Sequence, residues 1–102
     1  MSDSSIIRIV ANPDIAALIP QYIQRRYTDL VTTRAALAAG DMETVRIVGH
    51  SMKGSGGGYG FDGITEIGGL MEIAGGAQNA SDAADAIEQL ADYLDRLEVV
   101  YD

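Results

Sequence analysis

The chain has 102 residues, no cysteine and a formal charge of −8. This length corresponds to one domain, and the lack of cysteine excludes both a disulfide framework and a thiolate metal site. The acidic balance argues against binding to nucleic acid and to anionic membrane surfaces, because both attract basic proteins.

Residues 1–12 are predicted to form an N-terminal arm. This segment lacks the basic region of a signal peptide, and its apolar run over residues 6–10 is short and interrupted. The run could be extended, although an arm lying on the rest of the domain explains it equally well. No stretch approaches a membrane-spanning length, so we expect a soluble cytoplasmic protein.

The first helical region covers residues 12–39. Asn12 is a good N-cap, and Pro13 suits the first position of a helix. Pro20 then interrupts the pattern, because a proline inside a helix removes a donor and clashes with the preceding turn. The pattern therefore predicts a short helix over residues 13–18 and a long one from about Pro20, which ends at Gly40.

Three further helical segments follow. The second begins at the N-cap Asp41 and runs into a glycine-rich stretch, residues 54–60, which the sequence leaves open as helix or loop. The third spans about residues 61–77. The fourth opens at Asn79 or Ser81, and its apolar face is predicted to include Leu97 and Tyr101.

Four amphipathic helices with short connections predict an all-α fold, an antiparallel up-down four-helix bundle with a short extra N-terminal helix. Residues 13–102 would form this bundle and residues 1–12 the arm. We expect a monomer, because no additional apolar stripe is left for a second copy.

His50 is the single histidine of the chain, and the helical period places it away from the core. At about 100° per residue, Val45, Val48 and Met52 cluster on one side of the second helix. The opposite, outward side carries His50 together with Glu43, Arg46, Ile47, Lys53, Gly54 and Gly57. This placement argues against a buried histidine, but an incidental surface histidine remains an alternative.

The neighbours of His50 favour a function. Arg46 and Lys53 lie about one turn before and after it, and two cations would suit an anionic group on the imidazole. A neutral histidine can also act as a nucleophile. Gly54 and Gly57 would leave room for another protein, although a flexible loop explains them as well. Ile47 is either an exposed docking contact or a residue covered by a neighbouring helix.

The run His50-Ser51-Met52-Lys53-Gly54-Ser55, with Gly60 further on, resembles the signature of histidine phosphotransfer (HPt) domains. Flanking segments at residues 37–41, 59–61 and 64–72 resemble the same family, and the likeness covers about residues 13–101. One departure is Gly56, where many members have a second small hydroxyl residue. This difference favours fraying of the helix just past the site.

The resemblance implies a second helix that presents a phosphorylated histidine to solvent and exchanges the phosphoryl group with the aspartate of a receiver domain. His50 would be the phosphoacceptor, Lys53 would offset phosphoryl charge and Gly54 would give the receiver access. Ser55 would face the helix packing, and Gly60 would match the family's later glycine. Arg46, Ile47 and Gly57 are predicted to contact the partner.

The resemblance also implies the partners: response-regulator receiver domains and a sensor or hybrid histidine kinase. We expect no metal site and no cofactor of the chain's own, with Mg²⁺ supplied by the receiver. Residues 54–60 follow a helix rather than a strand, so they do not form a nucleotide-binding loop, and we expect a carrier rather than a kinase.

Two other interpretations remain open. The chain could be a degenerate module that docks to a receiver or kinase without carrying phosphate. It could also be an enzyme, a phosphatase that acts on a receiver.

Overall fold

The computed structural model describes residues 5–101. Four helices dominate it: α1 (Ile19–Ala38), α2 (Met42–Ser55), α3 (Asp62–Gly76) and α4 (Ala80–Arg96). Two 3₁₀ turns (Ala16–Leu18 and Gly57–Tyr59) and two strands, β1 (Ile7–Val10) and β2 (Leu97–Val100), complete the described part. The predicted all-α four-helix bundle is therefore confirmed, with a small β-ribbon added to it.

The helix starts follow the residues that can satisfy free backbone N–H groups. The Asp41 side chain accepts a hydrogen bond from the Thr44 N–H at 3.1 Å and caps α2. The Asn79 side chain does the same for the Asp82 N–H at 3.0 Å, so α4 is capped by Asn79 and not by Ser81. The boundary between α3 and α4 is thereby set by a local side-chain contact.

The region around Pro20 differs from its prediction in one respect. Pro20 lies in the first turn of α1, where a proline is tolerated because its missing N–H would have no partner. The predicted short helix over residues 13–18 is reduced to a single 3₁₀ turn, Ala16–Leu18. The Asn12 carboxamide does accept a bond from the Asp14 N–H at 2.9 Å, but it caps a turn and not a helix.

The C-terminal residues correct the predicted end of the fourth helix. α4 ends at Arg96, and residues 97–100 form β2, which pairs in parallel with β1 in the register Ile7↔Leu97 to Val10↔Val100. Leu97 and Val99 pack on the core, while Glu98 faces outward to Arg8. This alternation is the period of two of a strand, whereas a helix was predicted here. The possible extended run in the arm is thus a strand, and Tyr101 is not on a helix.

The core is filled mainly by aliphatic side chains and lies between all four helices. Its largest fully buried members are Ile19, Val45, Met52, Phe61, Ile64, Met71, Ile87 and Leu90. Within residues 5–101, no helix is both long enough and apolar enough to cross a lipid bilayer.

Candidate functional site

The site is built on an unusually close contact between α2 and α3. A Cβ added to Gly49 would lie 2.6 Å from the backbone nitrogen of Glu72, and one added to Gly68 would lie 2.5 Å from that of Lys53. At Gly75 the nearest atom would be the backbone nitrogen of Arg46, at 2.6 Å. Since no side chain fits at these three positions, the two backbones touch, and side chains at the edge of the contact are brought within reach of each other.

His50 lies at this edge and projects into solvent. Its side chain is 72% exposed, and its Nδ1 lies 2.8 Å from Oε2 of Glu72 on α3. A carboxylate oxygen can only accept, so Nδ1 carries the proton and donates it to this bond. The other ring nitrogen, Nε2, has no hydrogen-bond partner among the described residues. When the ring is neutral, this arrangement leaves its lone pair on Nε2.

Glu72 also contacts the cation that the sequence placed beside His50. Lys53 Nζ lies 3.4 Å from Glu72 Oε1, so one carboxylate bridges the imidazole and the ammonium group. The hydrogen bond from His50, and then the contact with Lys53, hold the pKa of Glu72 below its usual value of 4.5. The carboxylate is thus ionised at neutral pH and places a negative charge next to the Nδ1 side of the ring.

Sequence reasoning did not identify Glu72 as part of the site, because it lies 22 residues from His50 on a different helix. The sequence offers only an ambiguous signal. Gly68 and Gly75 flank Glu72 at helical spacing, but so do Gly69 and Gly76, and only the structure shows that the first pair lies at the backbone contact.

The other predicted cation, Arg46, does not join this group. Its guanidinium forms a bidentate ion pair with Glu43 on the same helix, with Nε–Oε1 at 2.9 Å and Nη2–Oε2 at 2.6 Å. The structure therefore brings Lys53, but not Arg46, into the hydrogen-bonded group around His50.

The predicted contact residues lie on the surface around His50. Ile47 is 53% exposed, so it is not covered by a neighbouring helix. Gly54 is exposed, and a Cβ there would meet no atom within 4 Å. Gly57 is also exposed, in the 3₁₀ turn that follows α2. Ile73, on α3 next to Glu72, adds a further exposed aliphatic side chain, 71% accessible.

The glycine-rich stretch has a defined conformation. α2 continues through Ser55, a 3₁₀ turn follows, and Gly60 adopts a positive φ of 88° that favours glycine. Gly56 is buried, and a Cβ there would lie 2.5 Å from Oγ1 of Thr65 on α3. The departure from the family pattern at Gly56 thus allows a close helix contact, and the expected fraying is not observed.

Ser55 faces the packing side and is held from α1. Its Oγ lies 3.1 Å from the Tyr22 hydroxyl and accepts a hydrogen bond from Arg26 Nη1 at 3.1 Å. The Arg26 guanidinium also lies over the Tyr22 ring and pairs with Asp29 at 2.9 Å. This polar cluster attaches the last turn of α2 to α1.

Residues 5–101 contain no group of three or more histidine, cysteine or acidic side chains arranged to hold a metal ion. What the site offers is one exposed imidazole, one carboxylate behind it, one lysine beside it and bare backbone at Gly54. This arrangement of an exposed histidine on a four-helix bundle is the one that the resemblance to HPt domains implies.

The comparison with known families agrees with this resemblance. The family model for the Hpt domain matches residues 17–99, which is most of the chain. The chain therefore belongs to the Hpt domain family. The curated proteins and the solved structures gave no match to it.

Proposed function

We infer from its membership of the Hpt family that this chain acts as a phosphotransfer module in two-component signalling. We propose that this chain carries the phosphoryl group itself, on Nε2 of His50, and exchanges it with the aspartate of response-regulator receiver domains. A sensor or hybrid histidine kinase would lie upstream of the relay.

One observation carries this proposal. The His50 side chain is 72% exposed, yet its Nδ1 is bound to a carboxylate at 2.8 Å. The hydrogen bond selects the tautomer in which Nε2 has a free lone pair, and exposure allows an electrophile to reach it. An incidental surface histidine would need neither a fixed tautomer nor a partner on a second helix.

The proposed step is an in-line displacement. The Nε2 lone pair of His50 attacks the phosphorus of an aspartyl phosphate, an N–P bond forms, and the P–O bond to the aspartate breaks to release its carboxylate. The Nδ1 proton stays on the ring, so the phosphorylated imidazole gains a positive charge that Glu72 offsets. The same step in reverse passes the group to a receiver aspartate.

Lys53 would offset the charge of the transferred phosphoryl group. To do so, its ammonium group must give up part of its contact with Glu72 and contact the phosphoryl oxygens instead. Such transfers rely mainly on positioning and charge stabilisation. The Mg²⁺ that neutralises the phosphoryl oxygens would arrive with the receiver. Ile47, Gly54 and Gly57 would lie under the docked partner, where bare backbone at Gly54 leaves clearance.

A transfer assay tests the proposal. A receiver domain phosphorylated with labelled phosphate should transfer the label to the wild-type chain, and the product should be acid-labile, as N-phosphohistidine is. The variant His50→Gln, which keeps a polar side chain at an exposed position, should accept none. Binding of the receiver without any transfer would favour the degenerate docking module. Loss of label from the receiver with no acid-labile intermediate would favour a phosphatase.

A further inference from the structure

The cations of this acidic chain are almost all neutralised internally. It has seven lysine and arginine residues, and six of them lie within 4.0 Å of a carboxylate. These pairs are Arg8–Glu98, Arg26–Asp29, Arg34–Glu88, Arg46–Glu43, Lys53–Glu72 and Arg96–Asp92. Within residues 5–101, Arg25 alone has no ion-pair partner, and its side chain is exposed.

Arg25 lies on the wall of an open pocket of about 480 Å³ between α1 and α2. The pocket is lined by Leu18, Gln21, Tyr22, Gln24, Arg25, Arg26, Thr28, Ser51, Ser55 and Tyr59, none of which is acidic. It contains two guanidinium groups and several amide and hydroxyl donors, which suits a carboxylate. Its volume is within the range of sites that hold small ligands, so an acidic side chain fits easily.

The two arginines of the pocket are not equivalent. Arg26 is 5% exposed. It forms an ion pair with Asp29 and donates a hydrogen bond to Ser55. The charge of Arg25 also lowers the pKa of Asp29, but burial outweighs both cations and raises that pKa overall. Arg25 is therefore the one guanidinium in the pocket whose donors are available to another molecule.

The pocket lies beside the histidine. Ser51, which follows His50 in α2, is part of its lining, so the pocket borders His50 on the α1 side while Glu72 borders it on the α3 side. We expect a protein that brings an aspartyl phosphate to His50 to reach this pocket through its border at Ser51. We propose that Arg25 receives an acidic side chain of the docked receiver in this pocket and thereby helps to select the partner.

Charge gives the physical reason. A chain with a net charge of −8 repels an anionic phosphoprotein, and Lys53, the cation next to His50, is already in contact with Glu72. An unpaired cation on the rim of a docking surface accelerates encounter and discriminates between partners by charge complementarity. Arg25 is a specificity determinant that does not touch the reacting atoms. This inference rests on the proposed function in one respect, which is that the receiver docks around His50.

The test measures binding and does not depend on transfer. Receiver domains encoded in the same genome, activated with beryllium fluoride as an aspartyl phosphate mimic, are titrated onto the full chain at low and high salt. Arg25→Gln should lower the association rate constant about fivefold at low salt, and the deficit should shrink at high salt because the charge is exposed. Arg25→Lys should recover most of the loss.

Arg34→Gln is the matched control, because Arg34 is an exposed arginine on the same helix but is paired with Glu88. It should change the rate constant by less than about twofold. The inference is wrong if Arg25→Gln behaves like Arg34→Gln, if its deficit does not depend on salt, or if no receiver binds. A receiver that binds through Arg25 but never transfers phosphate would support the inference and refute the carrier function, so the two failures are distinguishable.

Discussion

Gly68→Ala tests whether the backbone contact between α2 and α3 creates the site. The added Cβ would lie 2.5 Å from the backbone nitrogen of Lys53 and 2.8 Å from Cβ of Met52, where ordinary contacts begin at 3.4 Å. Backbone cannot rotate away as a side chain can. The helices must therefore separate locally by up to about 0.9 Å to accept the methyl group.

Two quantities should change. The distance between His50 Nδ1 and Glu72 Oε2 is 2.8 Å, and a separation of this size would stretch it to about 3.7 Å, beyond hydrogen-bonding range. Overpacking typically costs about 1–3 kcal/mol, which outweighs the roughly 1 kcal/mol that alanine gains over glycine in a helix. We expect a lower free energy of unfolding and slower phosphotransfer.

Gly69→Ala is the matched control. It adds the same methyl group one residue further along α3, but there the nearest atom is Cδ of the Lys53 side chain at 3.9 Å. This variant should be as stable as the wild type or more stable, by up to about 1 kcal/mol. Urea denaturation followed by circular dichroism gives both values. If Gly68→Ala is as stable as Gly69→Ala and transfers phosphate as fast, the close-contact argument is wrong.

Three further predictions follow from single residues. In Glu72→Ala, nitrogen NMR should show that His50 loses its fixed Nδ1–H tautomer, and an unchanged tautomer would contradict the role assigned to Glu72. In the wild type, the His50–Glu72 hydrogen bond should persist above pH 4.5 and be lost only as pH falls through the lowered pKa of Glu72. Gly54→Leu should keep or raise the free energy of unfolding, since a Cβ at this position would meet no atom within 4 Å. It should reduce phosphotransfer from a receiver by on the order of tenfold, and equal transfer would show that clearance at Gly54 is not needed. Burial raises the pKa of Tyr93 from 10.0 to about 12, so its contribution to stability is present below pH 10 and lost as pH rises toward 12. Tyr93→Phe should remove that alkaline loss in urea denaturation at pH 8 and 11, whereas Tyr101→Phe, at an exposed position, should not.

The helices were predictable because their signals are local. The caps at Asp41 and Asn79, the glycine at position 40 and the helical period all act within a few residues, and each matches the structure. The β-ribbon was not predictable in the same way. Its two strands are four residues each and lie 90 positions apart in register, so neither has a local partner in the sequence.

The residues of the site show the same difference between local signals and contacts that are distant in sequence. The outward position of His50, Lys53 and Gly54 depends only on the period of one helix, and the sequence was sufficient to place them. Glu72 depends on the distance between two helices, which in turn depends on what fits between their backbones. The pairing of Arg46 with Glu43, three residues apart on one helix, was also not predicted, because the helical period places Arg46 near both Glu43 and His50 and does not say which of them it contacts.

The glycines explain how an exposed histidine can have a fixed partner. Helices packed through ordinary side chains have axes about 8–10 Å apart, a spacing set by the side chains between them. With glycine at positions 49 and 68, the backbones of α2 and α3 are themselves in contact. The carboxylate of Glu72 therefore reaches the His50 ring from the neighbouring helix, and neither His50 nor Glu72 is deeply buried. Shielding the ring under other side chains would fix the tautomer equally well but would exclude a partner protein. Close backbone packing thus satisfies both requirements of the proposed phosphoacceptor, a defined free nitrogen and open access to it.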